Sequence, residues 1–211
     1  MQATTISVSE AVARARRLAA DGNRRLLGIT GPPGCGKSTL ADIVTDELSG
    51  RAGLVGMDGF HLAQAELVRL GRQDRKGALD TFDGAGYVAL LRRLRDATED
   101  VVYAPEFRRE IEEPVNAAVA VPRELPLVIT EGNYLLVDDG PWAQVRDLLD
   151  EAWYVVQDED RRLELLIERH IEFGKAPDFA RDWVHRSDQR NAELVQATQS
   201  RADVLVRLGQ P

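Results

Sequence analysis

The chain has 211 residues and lacks several features that would mark a secreted, membrane-bound or nucleic-acid-coating protein. It has one cysteine, Cys35, so no intrachain disulfide can form, which favours a reducing compartment and predicts a cytoplasmic protein. No apolar run approaches the roughly 20 residues of a membrane-spanning helix, and the first residues show no secretory pattern. Asp and Glu (35) outnumber Lys and Arg (27), for a net charge of −8. Because binding to a phosphate backbone needs a basic face, we do not expect nucleic acid as a partner. Because the sequence shows no apolar run of spanning length, we do not expect a membrane as a partner.

What the sequence does contain is an alternation of short apolar runs and amphipathic segments. The runs predict five strands, at residues 26–30, 53–57, 127–130, 152–156 and 202–206. Apolar residues at three- and four-residue spacing predict helices over 38–48, 86–97 and 159–174. Ser7 and Glu10 have the spacing of a capping box and predict a first helix that stops by Gly22. The alternation predicts an α/β fold, with a parallel sheet covered by helices on both faces, in one domain over 1–211.

One stretch interrupts this rhythm. It contains four prolines, Pro105, Pro114, Pro122 and Pro126, which exclude a long helix. Its sequence "AAVAV" suits a short strand. We therefore expect a hairpin-like insertion, at about 101–124, over one end of the sheet.

The sequence "GPPGCGKS" lies between the first predicted strand and the helix that follows it. Gly31, Gly36, Lys37 and Ser38 fit the spacing of a phosphate-binding loop, whose glycines turn backbone N–H groups towards phosphate oxygens. Lys37 would neutralise the outer phosphates, and Ser38 would offer a hydroxyl to Mg²⁺. A glycine-rich turn with a chance lysine is the alternative, which the flanking elements disfavour. The residues predicted to bind ATP are Gly31, Pro32, Pro33, Gly34, Cys35, Gly36, Lys37, Ser38 and Thr39. We interpret Cys35 as a small packing residue rather than a redox switch.

Two acidic residues end predicted strands at the edge where such sheets bind ligands. Asp58 could accept a proton from an attacking hydroxyl or hold Mg²⁺ through water, although Asp-Gly at this position also suits a helix cap. Glu131 could order the water around the same metal ion. The alternative for Glu131, an ion pair with an arginine, is less favoured because Gly132 leaves the backbone open. The predicted metal ligands are therefore Ser38, Asp58 and Glu131.

The helix predicted over 159–174 supplies cations for phosphoryl transfer. Arg162 and Arg169 are seven residues apart and share a face, so the segment at about 159–178 could act as a lid. Arg169 is the better catalytic candidate. Arg161 is more simply explained by a surface pair with Glu164.

The sequence as a whole resembles a known superfamily. "GPPGCGKST", "MDGFH", "RKGALDTFD", "VYAPEF", "VITEGNYLL", "IERHIEFGK" and "RADVLVRL" follow the order seen in the superfamily of uridine kinase, pantothenate kinase and phosphoribulokinase. The chain is most similar to its short bacterial members, described as nucleoside or nucleotide kinase-like proteins or fructose transport system kinases.

This resemblance implies a P-loop NTPase three-layer fold, with a five-stranded parallel sheet, a small insertion and a helical lid. It implies an ATP- and Mg²⁺-dependent kinase acting on a hydroxyl of a small metabolite: a sugar, a nucleoside or a pantothenate-like alcohol. Lys37 and Ser38 match phosphate and metal ligands, Asp58 the base, Glu131 the second acid, and Arg169 the lid arginine. Residues in segments that line acceptor sites in these relatives are His61, Arg75, Lys76, Tyr103, Arg108, Arg109, Asn133 and Asn191. Homodimers are frequent among the relatives, and the insertion would be a plausible contact.

The sequence leaves the acceptor open. "APEFRREIEE" lacks the aromatic and histidine set with which uridine kinases hold the base. Arg108 and Arg109 could meet an anionic group of the acceptor, or could pair with the acids at 110, 112 and 113.

Two other functions compete with a small-molecule kinase. A nucleotide monophosphate kinase usually has Pro-Arg after a glycine and phenylalanine like Gly59 and Phe60, where this chain has "HL". A nucleotide-gated binding or regulatory protein would keep the ATP site without efficient transfer. The set of Lys37, Asp58, Glu131 and Arg169 argues against it, because a binder needs no base.

Overall fold

The computed structural model describes residues 3–20 and 22–209. Within them, six parallel strands form the central sheet, in the order β1-β8-β7-β2-β6-β3. The strands are β1 (Thr4–Ser7), β2 (Arg25–Thr30), β3 (Ala52–Gly56), β6 (Leu127–Gly132), β7 (Glu151–Val156) and β8 (Val204–Arg207). A separate antiparallel pair consists of β4 (Val101–Arg108) and β5 (Glu113–Pro122).

Helices cover both faces of the sheet. They are α1 (Val8–Leu18), α2 (Lys37–Glu47), α3 (Gln64–Arg69), α4 (Gly84–Asp96), α5 (Val145–Leu148), α6 (Glu159–Glu172), α7 (Pro177–Trp183) and α8 (Gln189–Gln196). Successive residues of β2 point to opposite faces: Leu26 packs with α4, whereas Leu27 and Ile29 pack with α1 and α2. Two buried clusters thus sandwich the sheet. No helix in the described part of the chain is long and apolar enough to span a membrane.

The α/β fold is confirmed, but the expected count of five strands is wrong. The additional strand is β1, at the edge of the sheet, where only Ile6 of its four residues is even half-buried. Such a polar segment has no strand pattern of its own and becomes a strand because it pairs with β8. The predicted capping box is present immediately afterwards: the Ser7 Oγ accepts from the Glu10 N–H at 3.4 Å, and the Glu10 carboxylate accepts from the Ser7 N–H at 2.8 Å.

The antiparallel pair β4–β5 occupies the region predicted as a hairpin. Its register shifts between Ala104 and Glu106, so Pro105 lies at an irregularity where a missing N–H is tolerated. The backbone of Pro105 packs so closely on Gly59 that a side chain at position 59 would collide with it. The hairpin therefore lies directly against the turn that carries Asp58.

Candidate active site

The phosphate-loop sequence connects β2 to α2 through a tight turn. Gly36 caps the N-terminus of α2 with a φ of 88°, and Gly34 has a φ of 82°, both in the left-handed region that favours glycine. A Cβ at Gly34 would lie 2.8 Å from the Arg162 carbonyl oxygen of α6. The loop therefore needs glycine at this position both for its conformation and for its contact with α6.

Cys35 lies in the interior of this loop. Its side chain is fully buried, and burial raises the pKa of the thiol. A Cβ at Gly31 would lie 2.6 Å from its sulfur. This is the environment of a packing residue and not of an activated thiolate.

A cavity of about 320 Å³ opens beside the loop, between the ends of the central strands, the hairpin and the segment from α6 to α8. It brings together eleven of the residues predicted from sequence: Pro33, Lys37, Ser38, Asp58, His61, Lys76, Arg109, Glu131, Asn133, Arg169 and Asn191. The predicted loop residues Gly31, Pro32, Gly34, Cys35, Gly36 and Thr39 are not part of its lining, and neither are three of the acceptor-site candidates. Arg75 pairs with Asp80 at 2.9 Å, Arg108 pairs with Glu106 at 2.7 Å, and Tyr103 is 55% exposed.

Glu131 lies at the end of β6, where Ser38 donates to its carboxylate at 3.4 Å. Burial raises the pKa of this carboxyl, with Lys37 opposing the shift and Asp58 adding to it. The alternative of an arginine partner is not realised, since no ion pair joins Glu131 to an arginine within the described residues. A hydroxyl beside a carboxylate suits Mg²⁺, which usually keeps several waters and completes its shell with substrate phosphates. In the described ranges, no group of three or more His, Cys, Asp or Glu residues is placed to hold a metal ion.

Asp58 and Arg109 face each other across the cavity mouth. Asp58 lies in the 3₁₀ turn Met57–Phe60 after β3, and its carboxylate is 4.0 Å from the Arg109 guanidinium. Arg109 also lies over the ring of Phe173, 5.4 Å from its centre. The hairpin tip and the segment that follows α6 thus meet beside a carboxylate that is partly open to solvent.

Arg169 is a half-buried cation of the cavity wall. Burial lowers the pKa of its guanidinium, and the nearby Arg109 lowers it further. Within the described residues, no carboxylate lies within 4.0 Å of Arg169. A half-buried cation without a close counter-ion is well suited to an anion that arrives with a ligand.

At the far end of the cavity, His61 lies between two aromatic rings. Its ring centre is 4.0 Å from that of Phe82 and 4.8 Å from that of Phe107, and its Nδ1 is 2.8 Å from the Asp58 carbonyl oxygen. Burial lowers the pKa of this imidazole, which favours the neutral ring. Asn133 also lines the cavity; its Oδ1 is buried, has no hydrogen-bond partner among the described residues, and could accept a hydrogen bond from a ligand.

Sequence reasoning missed a second group in the cavity wall. His170 of α6 contacts Asp188 through Nε2 at 2.7 Å and Lys175 through Nδ1 at 2.8 Å. The Lys175 Nζ lies 5.2 Å from the ring centre of Trp183. No linear signal identifies these residues, because three different segments supply them.

The fold and the site together define an ATP-binding P-loop kinase. A family model for ABC transporters matches residues 22–102, the region that contains β2, the phosphate loop, α2 and β3. The "Putative uridine kinase C227.14" of Schizosaccharomyces pombe is 30% identical over 212 residues, covering 95% of this chain and 90% of that protein. An "ATP-dependent kinase-like protein" of Aspergillus versicolor is 37% identical over 131 residues, covering 59% of this chain and 76% of that protein.

Among solved structures, a "putative fructose transport system kinase" from Silicibacter sp. TM1040 has a TM-score of 0.85 and 30% identity, covering 95% of this chain and 98% of that one. The chain belongs to the P-loop kinase superfamily of uridine kinase, pantothenate kinase and phosphoribulokinase. It is a small-molecule kinase with a hydroxyl acceptor.

Proposed function

We propose that the protein uses ATP and Mg²⁺ to phosphorylate a hydroxyl of a small metabolite, such as a sugar, a nucleoside or a pantothenate-like alcohol. The observation that carries this proposal is the convergence of Lys37, Ser38, Glu131, Asp58 and Arg169 on one cavity. The set combines a phosphate cradle, a metal-binding pair, a base and a second cation. A protein that only binds nucleotide needs neither the base nor the second cation.

Each residue has a distinct role in this proposal. The loop amides and Lys37 hold the ATP phosphates, and Ser38 with Glu131 would hold Mg²⁺, Glu131 through its water shell. The bound metal ion would neutralise charge on the β- and γ-phosphates. Asp58 accepts the proton of the acceptor hydroxyl as that oxygen attacks the γ-phosphorus in line with the departing ADP oxygen. Asp58 is accessible enough to meet an acceptor, with 37% of its side chain exposed.

Arg169 and Lys37 stabilise the charge of the γ-phosphoryl group during transfer. The segment at about 159–178 acts as the lid of a single domain over 1–211, and the insertion at about 101–124 closes the other side of the cavity. The contact between Arg109 and Phe173 joins these two walls and supports their joint closure over the acceptor. The lone Cys35 supports a cytoplasmic location for this chemistry.

The test is ADP release by the purified protein with Mg²⁺-ATP, screened against nucleosides, sugars, sugar acids and pantothenate-like alcohols. Lys37→Ala serves as the blank. We expect one acceptor class to raise ADP release well above the blank and to appear as a phosphorylated product by mass spectrometry. Tight ATP binding with no stimulation by any acceptor would instead establish a nucleotide-gated binding protein.

A further inference from the structure

Lys175 is a cation of the cavity wall that lacks an anionic partner. Within the described residues, no carboxylate oxygen lies within 4.0 Å of its Nζ. The nearest acids are already engaged: Asp188 contacts His170 at 2.7 Å, and Glu112 lies 4.0 Å from Lys76. Burial lowers the pKa of the Lys175 ammonium, whereas Asp188 and Glu112 raise it from a longer range. The site therefore holds a positive charge that the protein itself does not neutralise at close range.

The position of Lys175 is fixed by the end of α6. Gly174 has a φ of 89°, and this left-handed turn allows the Lys175 N–H to donate to the His170 carbonyl at 3.0 Å. The chain thus folds back, so that the Lys175 side chain meets the ring of the same His170. Backbone and side chain together direct the ammonium into the cavity.

His170 fixes the direction of that ammonium. A neutral imidazole that donates from Nε2 to Asp188 has its lone pair on Nδ1, where it accepts one N–H of Lys175. The ring of Trp183 lies on another side of the same ammonium. Because an ammonium has three N–H groups and His170 takes one, N–H groups remain for a ligand.

We propose that Lys175 binds an anionic group, a carboxylate or a phosphate, on the phosphate acceptor, and that His170 is the residue that positions it. Arg109, on the opposite wall, is a second cation within the same cavity. Arg169 lines the cavity next to the phosphate loop and is assigned to the γ-phosphate. Arg109 faces Asp58 at 4.0 Å, and Lys76 donates to the Glu112 carbonyl oxygen. Lys175 is therefore the cation of this cavity that remains for the acceptor. This inference rests on the proposed kinase function, which it narrows to acidic acceptors.

The first test uses pairs of acceptors: an acid that the wild type phosphorylates, and the corresponding amide or neutral alcohol with the same reacting hydroxyl. We expect the wild type to have a higher kcat/KM for the acid than for its neutral analogue. Lys175→Gln should raise the KM for the acid about 10–100-fold, the loss expected for one charge-assisted hydrogen bond, with little change in the KM for ATP. Arg181→Gln is the control, since Arg181 is an exposed cation of α7 outside the cavity.

A test of the positioning role of His170 must measure a quantity that a general loss of structure would not change in the same way. His170→Leu should raise the KM for the acid while leaving that for its neutral analogue unchanged. His170→Gln should recover part of the loss, because its amide can donate to Asp188 and accept from Lys175. Equal effects of both variants on acidic and neutral acceptors would overturn the positioning role.

A second test needs no turnover. Trp183 contacts Lys175, so its fluorescence should respond when an anion reaches the ammonium. The titration uses protein saturated with a nonhydrolysable ATP analogue and Mg²⁺, with glycolate and inorganic phosphate as separate probes and ethylene glycol as the neutral control. We expect saturable responses to at least one anion in the wild type and in Arg181→Gln, and at least tenfold weaker binding in Lys175→Gln.

The outcomes separate the two proposals. If the wild type phosphorylates only neutral acceptors, or if Lys175→Gln binds the anions as well as the wild type, the anion subsite is wrong and the kinase function stands. If no acceptor is phosphorylated, the kinase function fails, and the fluorescence titration alone decides whether Lys175 binds anions. A response to only one of glycolate and phosphate identifies the anionic group of the acceptor.

Discussion

The Arg162 guanidinium donates to the Pro33 carbonyl oxygen at 2.8 Å, although 129 positions separate the two residues. Only 1% of the Arg162 side chain is exposed. Its other N–H groups donate to Glu159 at 2.6 and 2.9 Å and to Gln189 at 2.7 Å. One side chain thus joins the phosphate loop, α6 and α8.

Replacing Arg162 should uncouple these three elements. Arg162→Leu removes the donor to the Pro33 carbonyl and leaves the Glu159 carboxylate with the weaker hydrogen bond from the Gln189 Nε2 at 3.3 Å. We therefore expect a loss of about 2–3 kcal/mol, reduced because Glu159 is half-exposed. The adjacent Arg161→Leu is the matched control: Arg161 forms an exposed pair with Glu164 at 3.2 Å, worth about 0–1 kcal/mol. Urea denaturation measures both. Similar losses in the two variants would show that the buried bonds contribute nothing special.

A methyl group at Gly34 should disturb the phosphate loop specifically. The new Cβ would lie 2.8 Å from the Arg162 carbonyl, so we expect Gly34→Ala to displace the loop from α6 and raise the Kd for ATP at least about tenfold. Gly50→Ala is the control that separates the backbone strain of a positive φ from the collision with α6. Gly50 has a similar φ of 79°, but there is open space where its Cβ would lie. That control should lose about 1 kcal/mol of stability and keep its ATP affinity. Calorimetric titration decides, and unchanged ATP binding in Gly34→Ala would contradict the prediction.

Removing the carboxylate of Asp58 should stop the chemistry and spare nucleotide binding. Asp58→Asn keeps the side-chain shape but cannot accept the acceptor's proton, so turnover should fall about 10²–10⁴-fold. The Kd for ATP should stay within a few-fold of the wild type. A collapse of ATP affinity, with turnover per bound ATP preserved, would instead make Asp58 a metal-binding or structural residue.

Glu131 should make the nucleotide-free protein less stable as the pH rises. Because burial raises the pKa of its carboxyl, the folded state binds more protons than the unfolded chain between the ordinary and the raised pKa, and stability falls as pH increases through that window. Glu131→Gln removes the free-energy cost of burying an ionised carboxylate. We expect the variant to melt at a higher temperature than the wild type at pH 8, with the difference shrinking towards pH 4, and to lose Mg²⁺-dependent turnover.

Thermal scans of both proteins from pH 4 to pH 8, without nucleotide, test the prediction. A wild type that is the more stable protein at pH 8 would show that the hydrogen bond from Ser38 and the attraction of Lys37 outweigh the desolvation of the Glu131 carboxylate.

Most of the sheet could be predicted because its strands carry their own signal. The strands β2 and β7 are continuous apolar runs, the pattern of strands buried on both faces, and they were found within a residue or two of their ends. In β1 the sequence "TTIS" carries no such run. Its strand conformation is decided by a partner about 200 residues away, which no local pattern reveals.

The site divides in the same way. Lys37 and Glu131 were predictable because a loop motif and the end of an apolar strand fix their positions. Arg162 has the helical spacing of a solvated lid residue, yet it is buried because α6 packs onto the phosphate loop. The contact of His170 with Lys175 depends on the turn at Gly174, and its contact with Asp188 depends on the packing of the π-helical turn Val184–Asp188 against α6, which no local pattern reveals.

The pairing of β1 with β8 also constrains the order in which the protein can fold. Thr4 pairs with Val204, so nearly the entire described chain must be in place before this part of the ladder closes, and closing so long a loop is entropically slow. Leu208, just beyond β8, packs against Gly36 of the phosphate loop. A chain still emerging from the ribosome would therefore have its ATP-binding sequence complete long before that sequence could adopt its final packing. Competence to bind nucleotide should arrive late in synthesis and in a single step.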